Sequence, residues 1–168
     1  WQTAARIELD QMLPIDPSTE SSHAGLEFVR HRPAGTCLGD VDCRWDLFAA
    51  LETLGGGTVS SGNQERRGRH SLAVAAGASD LSLLYQDGRI IAGAYGYHVD
   101  GHVEIVDISV APNAPGETVT RLLEQLLADG RERDDTSYTF SGSAVRDEVA
   151  QRATSSVRTD RLRYFAKT

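Results

Sequence analysis

The sequence predicts an α+β fold, a central mixed β-sheet flanked by helices, and three observations predict it. From Asp80 onward the elements follow the order β-β-β-α-β-α-β. Two Asp-Gly pairs, Asp87-Gly88 and Asp100-Gly101, lie between apolar runs, as two-residue hairpin turns require. The segment Glu117 to Ala128 places Val119, Leu122, Leu123, Leu126 and Leu127 on one side of a helix. A sheet of about six or seven strands is expected, with that helix packed on it.

The first third of the chain has the weakest patterning. Arg6 to Leu13 mixes apolar and acidic residues and fits a short strand or helix, which Pro14 and Pro17 end. Ser18 to Arg30 carries a weak apolar pattern at Leu26, Phe28 and Val29, and Thr36 to Val41 fits a strand. Asp42 suits the N-cap of a helix over Arg44 to Leu54, where Leu47, Leu51 and Leu54 recur at helical spacing before three glycines. Thr58 to Arg69 is a polar loop or a helix start, and His70 to Ala76 is a short helix closed by Gly77.

The patterning then sharpens. Leu81 to Tyr85, Arg89 to Tyr97 and His102 to Val110 form an antiparallel meander. Pro112 and Pro115 bound a loop, and the helix Glu117 to Ala128 follows. A polar connection over Gly130 to Asp135 leads into a strand at Ser137 to Phe140. A helix at Ser143 to Ala153 and a last strand at Arg161 to Phe165 complete the order.

The bulk properties narrow the function. A chain of 168 residues is expected to be one domain able to bury a core. Its net charge of −7 argues against a nucleic-acid binder, which needs a basic face, and mildly favours a cationic partner such as an amine. No apolar run approaches the roughly 18 residues of a membrane span, so neither membrane nor nucleic acid is expected as a partner and the cytoplasm is the expected location. Cys37 and Cys43 lack zinc spacing and are expected to be structural thiols, with a disulfide between them as the alternative. His98 and His102 flank the second Asp-Gly turn. With no third ligand beside them they are expected to be exposed turn residues, and no metal is expected. Arg66, Arg67 and Arg69 read as a solvated charge run, with contact to a bound anion or acceptor as the alternative.

The chemistry concentrates in HVEIVDISVAPNAPGETVTRLLEQLL, a strand, a Pro/Gly loop and a helix. A loop feeding a helix leaves backbone N–H groups without intrahelical partners, and with the helix dipole they suit a phosphate or pyrophosphate. Gly116 would allow close backbone approach.

This segment resembles the acyl-CoA-binding motif of the GNAT N-acyltransferases. The strand is EIVDISVAP, the loop NAPGET and the helix VTRLLEQLLADG, and the preceding LLYQDGRIIAGAYGYHVDG is similar to that family's second and third strands. The tail SYTFSGSAVRDEVAQRATSSVRTDRLRYFAKT resembles the GNAT-like domain named for the cellulose-biosynthesis protein CelD. The likeness covers residues 70–168, with residues 1–69 as a variable acceptor-side part of one GNAT-like domain. The chain departs from the family loop pattern at Asn113 and Thr118, and Glu117 puts a negative charge where a diphosphate would approach.

The resemblance implies transfer of an acyl group, acetyl above all, from acetyl-CoA or another acyl-CoA to an amine by direct attack. Backbone N–H groups at Ile108, Ser109 and Val110 would polarise the donor carbonyl. Those of Asn113, Ala114, Pro115, Gly116, Glu117, Thr118 and Val119 would hold the pyrophosphate, Pro115 contributing only its place in the loop. Glu104 is the expected base, with a carboxylate raised in pKa by burial; the alternative is a solvent-facing strand residue. Asp107 is expected on the opposite face, because strand side chains alternate. Tyr138 is the candidate acid for the leaving thiolate, with Tyr164, Ser141 and Ser143 as alternatives; the other reading of each is a structural residue. The acceptor is expected to be a small-molecule or peptide amine, and a homodimer stays open. Two other readings remain: a carrier-protein-dependent acyltransferase, and a degenerate GNAT domain that binds a partner or metabolite without catalysis.

Overall fold

The computed structural model describes residues 2–11, 25–32, 45–54, 72–73, 77–144, 146–153 and 155–159. The expected strand at Thr36 to Val41, Cys37, Cys43, Arg66, Arg67, Arg69, Tyr164 and the expected last strand at Arg161 to Phe165 lie outside them.

Seven strands form one sheet: β1 (Gln2–Glu8), β2 (Leu26–His31), β3 (Ser79–Gln86), β4 (Arg89–Val99), β5 (His102–Val110), β6 (Ser137–Phe140) and β7 (Ser155–Thr159). Their order across the sheet is β2-β3-β4-β5-β6-β1-β7. Strands β2 to β5 are antiparallel neighbours, β5 and β6 are parallel, and β1 runs antiparallel to both β6 and β7. The sheet is therefore mixed, as expected. Among the helices that accompany it are α1 (Trp45–Leu54), α2 (Thr118–Glu132) and the single turn α3 (Asp147–Ala150).

Both hairpin turns form at the Asp-Gly pairs. Asp87 and Asp100 take φ of 50°, and Gly88 and Gly101 take φ of 74° and 78°. Two consecutive residues at positive φ are what a tight hairpin turn of this hand demands.

The core has two layers. On one face, Leu122, Leu123, Leu126 and Leu127 of α2 pack against Ile7, Leu84, Ala92, Ala94, Val103, Ile105, Ile108, Tyr138 and Phe140. On the other, Leu47, Leu51 and Leu54 of α1 pack with Leu81, Leu83, Tyr95, Tyr97 and Val106. At about 25 cal/mol per Å² of apolar surface removed from water, burial on both faces makes the sheet the centre of the fold.

Several boundaries differ from expectation. Helix α2 runs on to Glu132 through Gly130, because Tyr138 packs where a Cβ at Gly130 would stand, its Cε2 at 2.9 Å. The helix expected at Ser143 to Ala153 is a 3-10 turn at Gly142–Ala144 followed by α3, since few apolar residues there face the core. The last described strand is β7, at Ser155–Thr159. Strand β1 lies inside the sheet, with Ala4, Ala5 and Ile7 buried.

Candidate active site

The parallel pair β5 and β6 is short. It is in register from His102 opposite Ser137 to Ile105 opposite Phe140. The Ser141 N–H then donates to the Ile105 carbonyl at 2.9 Å. Beyond this rung the strands part. β5 continues to Val110, while the chain after β6 turns at Gly142, φ 61°, into the 3-10 turn. The backbone of β5 thereby gains an edge that no strand among the described residues covers. Ala111 donates its N–H to Ile91 on the β4 side, and the Ile108 carbonyl accepts from Arg146 on the other. Backbone groups alternate in direction along an antiparallel strand, so Ile108 and Val110 face the gap and Ser109 faces β4.

A bulge shapes β5 just before the gap. Tyr95 pairs with Asp107 but Gly96 pairs with Ile105, leaving Val106 as the extra residue. Gly96 makes this approach possible: a Cβ there would collide with the Glu104 carbonyl oxygen and lie 2.9 Å from Ile105 Cα. The bulge also breaks the alternation of side chains. Ile105 and Ile108, three residues apart, both enter the core beneath α2. Glu104 pairs with Tyr97 and Asp107 with Tyr95, and both tyrosines belong to the α1 face. Glu104 and Asp107 therefore share that face, contrary to the expectation that they oppose each other.

Glu104 is half-buried, and its Oε1 accepts from the Ser141 hydroxyl at 3.0 Å. This bond spans the last rung of the parallel pair and sets a carboxylate and a hydroxyl at the mouth of the gap. Asp107 is buried and accepts from the Ser109 hydroxyl at 3.1 Å.

After β5, the loop spends some of its expected donors on itself. Ala114 donates its N–H to the Ala111 carbonyl at 3.0 Å, and Thr118 donates to Pro115 through both N–H, 3.0 Å, and hydroxyl, 2.6 Å. Pro115 has no N–H to give. Among the described residues this leaves the N–H groups of Asn113 in the loop and of Gly116, Glu117, Val119 and Thr120 at the start of α2. A Cβ at Gly116 would meet nothing within 4 Å, so open space lies in front of it. The Glu117 side chain is exposed, with Arg121 3.6 Å away.

Tyr138 is not at the gap. Its ring is sealed under α2, its hydroxyl donates to Asp135 at 2.6 Å, and Arg30 stacks over the ring at 5.6 Å. Burial pushes its pKa up strongly, and the Asp135 carboxylate adds to the rise while Arg30 opposes it. Strand alternation sends Tyr138 and Phe140 to the α2 face, whereas Glu104 and Ser141 meet on the other side. The structure thus corrects the expectation of Tyr138 as the acid.

Tyr138 instead belongs to a buried ion cluster that sequence reasoning missed. Arg30 and Arg32 both reach Asp80, at 2.7 and 2.6 Å; Arg30 also reaches Asp129 at 2.9 Å and Arg32 reaches Asp135 at 2.8 Å. The Arg30 and Asp80 side chains have no solvent exposure. The residues come from β2 and the position after it, from β3, and from the last turns of α2 and the connection that follows, and only their alternation into one buried layer could have hinted at the pairing. His98 lies beside them, not exposed as expected, its Nδ1 buried and without a partner among the described residues. Burial and the charge of Arg32 hold its pKa below the usual histidine value, against the pull of Asp80 and Asp135. His102 is exposed, its Nδ1 2.8 Å from the Ser137 hydroxyl. Among the described residues, no group of three His, Cys, Asp or Glu side chains is arranged to hold a metal. No helix among them is long and apolar enough to cross a membrane.

This fold has solved counterparts. The C-terminal domain (DUF2156) of an Agrobacterium fabrum protein superposes with a TM-score of 0.59 at 15% identity, covering 85% of this chain and 47% of that one. A GCN5-related N-acetyltransferase from Kribbella flavida gives 0.52 at 14% identity, over 90% of this chain and 52% of that one. A ribosomal-protein-alanine N-acetyltransferase from Brucella melitensis gives 0.50 at 15% identity, over 80% of this chain and 96% of that one. The fold is that of the GNAT acetyltransferases. The chain spans about half the length of the Agrobacterium and Kribbella proteins. No family model matches the sequence, and no curated protein matches it significantly. At these identities the likeness establishes the GNAT fold and leaves substrate and mechanism to the site itself.

Proposed function

We propose that this chain is an N-acyltransferase that takes an acyl group, acetyl above all, from acyl-CoA and gives it to an amine on a small molecule or peptide. The observation that carries the proposal is the parting of β5 from β6 beside the loop that opens α2. A thioester arm laid along the free edge of β5 meets the N–H groups of Ile108 and Val110, and its diphosphate meets those of Gly116, Glu117 and Val119. The Pro115-Gly116 loop and the tail favour the CelD-like subgroup within this class.

The amine nitrogen attacks the thioester carbon, a C–N bond forms and the C–S bond breaks. The ammonium proton passes to Glu104, directly or through water, and the departing thiolate takes up a proton. Ser141, tied to Glu104, is the hydroxyl placed to deliver it. The carboxylates of Glu104 and Asp107 on the α1 face make that side the one for a cationic acceptor.

Calorimetric titration with acetyl-CoA tests this reading. Gly116 has a conformation open to other residues and space for a side chain, so Gly116→Glu is expected to keep its melting temperature and lose acetyl-CoA binding by bulk and by charge. Wild-type affinity in that variant contradicts the placement.

A further inference from the structure

Resting on the acyl-donor reading of the gap, we propose that Arg146 is a donor-recognition residue that receives a carbonyl oxygen of the thioester arm. Arg146 precedes α3, on the wall that faces β5 once β6 has ended. Its Nη2 donates to the Ile108 carbonyl at 2.7 Å, so the guanidinium spans the gap where a ladder rung would otherwise stand. Its Nε is buried and meets no acceptor among the described residues. No carboxylate there pairs with it either. In this last respect other arginines differ: Arg121, whose Nε is likewise buried without an acceptor among the described residues, and Arg152 are both tied to Glu124, at 3.1 and 3.4 Å.

A half-buried guanidinium with an unmatched charge and an unused buried donor is costly unless something arrives to satisfy it. An arm built of amides and a thioester does so. Along the edge of β5 it presents N–H groups to carbonyls such as that of Ile108, and its own carbonyl oxygens then face the opposite wall. β6 no longer supplies donors there; Arg146 does, with a planar fork suited to an oxygen acceptor.

The shared chemistry is the acylated phosphopantetheine arm, borne by coenzyme A or by a carrier protein. Titrations of wild type, Arg146→Met and Arg146→Lys with acetyl-CoA, acetyl-phosphopantetheine and adenosine bisphosphate, the nucleotide end of coenzyme A, separate the cases. Arg146→Met is expected to weaken both thioesters roughly 10–100-fold, the effect of losing a hydrogen bond to a charged group. It is expected to leave adenosine bisphosphate unaffected. Arg146→Lys, which keeps charge but loses the fork, is expected to fall between, and decides the matter if Arg146→Met fails to fold. Wild-type thioester affinity in the variants, or an equal loss for adenosine bisphosphate, overturns the proposal. Wild-type binding of acetyl-phosphopantetheine without adenosine bisphosphate marks a carrier-borne donor, and the Arg146 effect on that thioester still supports the proposal. Binding of none of the three by wild type overturns both this proposal and the donor reading.

Discussion

Glu104 owes its setting to a glycine eight residues earlier. Gly96 lets β4 press against the Glu104 carbonyl, and the bulge at Val106 follows from that approach. The period of two on which strand reading depends fails at such a point. Glu104 itself was legible, because Val103 and Ile105 flank it as core residues and put it on the other face. Asp107 was not, because one inserted residue reversed its side; the glycine in Tyr95-Gly96-Tyr97 was the available signal. Two carboxylates on one face raise the question of which is the base. Glu104 holds Ser141 across the end of the β5–β6 pair, whereas Asp107 is occupied with Ser109 on its own strand. Glu104→Gln is therefore expected to lower kcat by roughly 10²–10⁴-fold and to remove the acidic limb of the pH–rate profile. Donor affinity should stay as in wild type, since the carboxylate lies away from the diphosphate donors. Steady-state kinetics on an amine found by panel screening measure both quantities, and wild-type turnover in Glu104→Gln contradicts the assignment.

At the scale of elements, α2 and β6 meet through Tyr138 beneath Gly130, and the ion cluster fixes β2 and β3 to the end of α2. The amphipathic stripe of α2 was plain in the sequence. Its extension through Gly130 was not, because a helix-ending glycine and one that admits a neighbouring ring look alike until the ring is placed. The cluster has a pH signature. Burial works to raise the Asp135 pKa, but hydrogen bonds from Arg32 and Tyr138 and the charges of Arg32 and Arg30 outweigh it and hold the carboxyl below 3.8. A carboxyl depressed in the folded state contributes stability above its unfolded pKa and loses it as pH falls through the folded value. Urea midpoints are thus expected to fall as pH drops below about 4. Asp135→Asn, less stable at neutral pH, is expected to show a shallower acid limb. An acid limb as steep as that of wild type contradicts the role given to Asp135.

For the whole molecule, the meander and the strand-loop-helix unit were readable because their contacts are local, set by turns and by helical or alternating periodicity. The place of β1 was not readable. Its pairing with β6 and β7 joins residues more than a hundred positions apart, and nothing in the Gln2–Glu8 pattern names its neighbours. The same long-range order makes the gap. With β1 on its far side, β6 is held in the sheet over four residues and released at Ser141, while β5 goes on to Val110. The central claim is that this gap takes the acyl donor. A crystal structure of the protein with acetyl-CoA tests it most directly. The account predicts the arm between β5 and the turn after β6, the thioester carbonyl at the N–H of Ile108 or Val110, and the diphosphate at Gly116 to Val119. Acetyl-CoA bound elsewhere, with Arg146 still closing the gap onto Ile108, would contradict it.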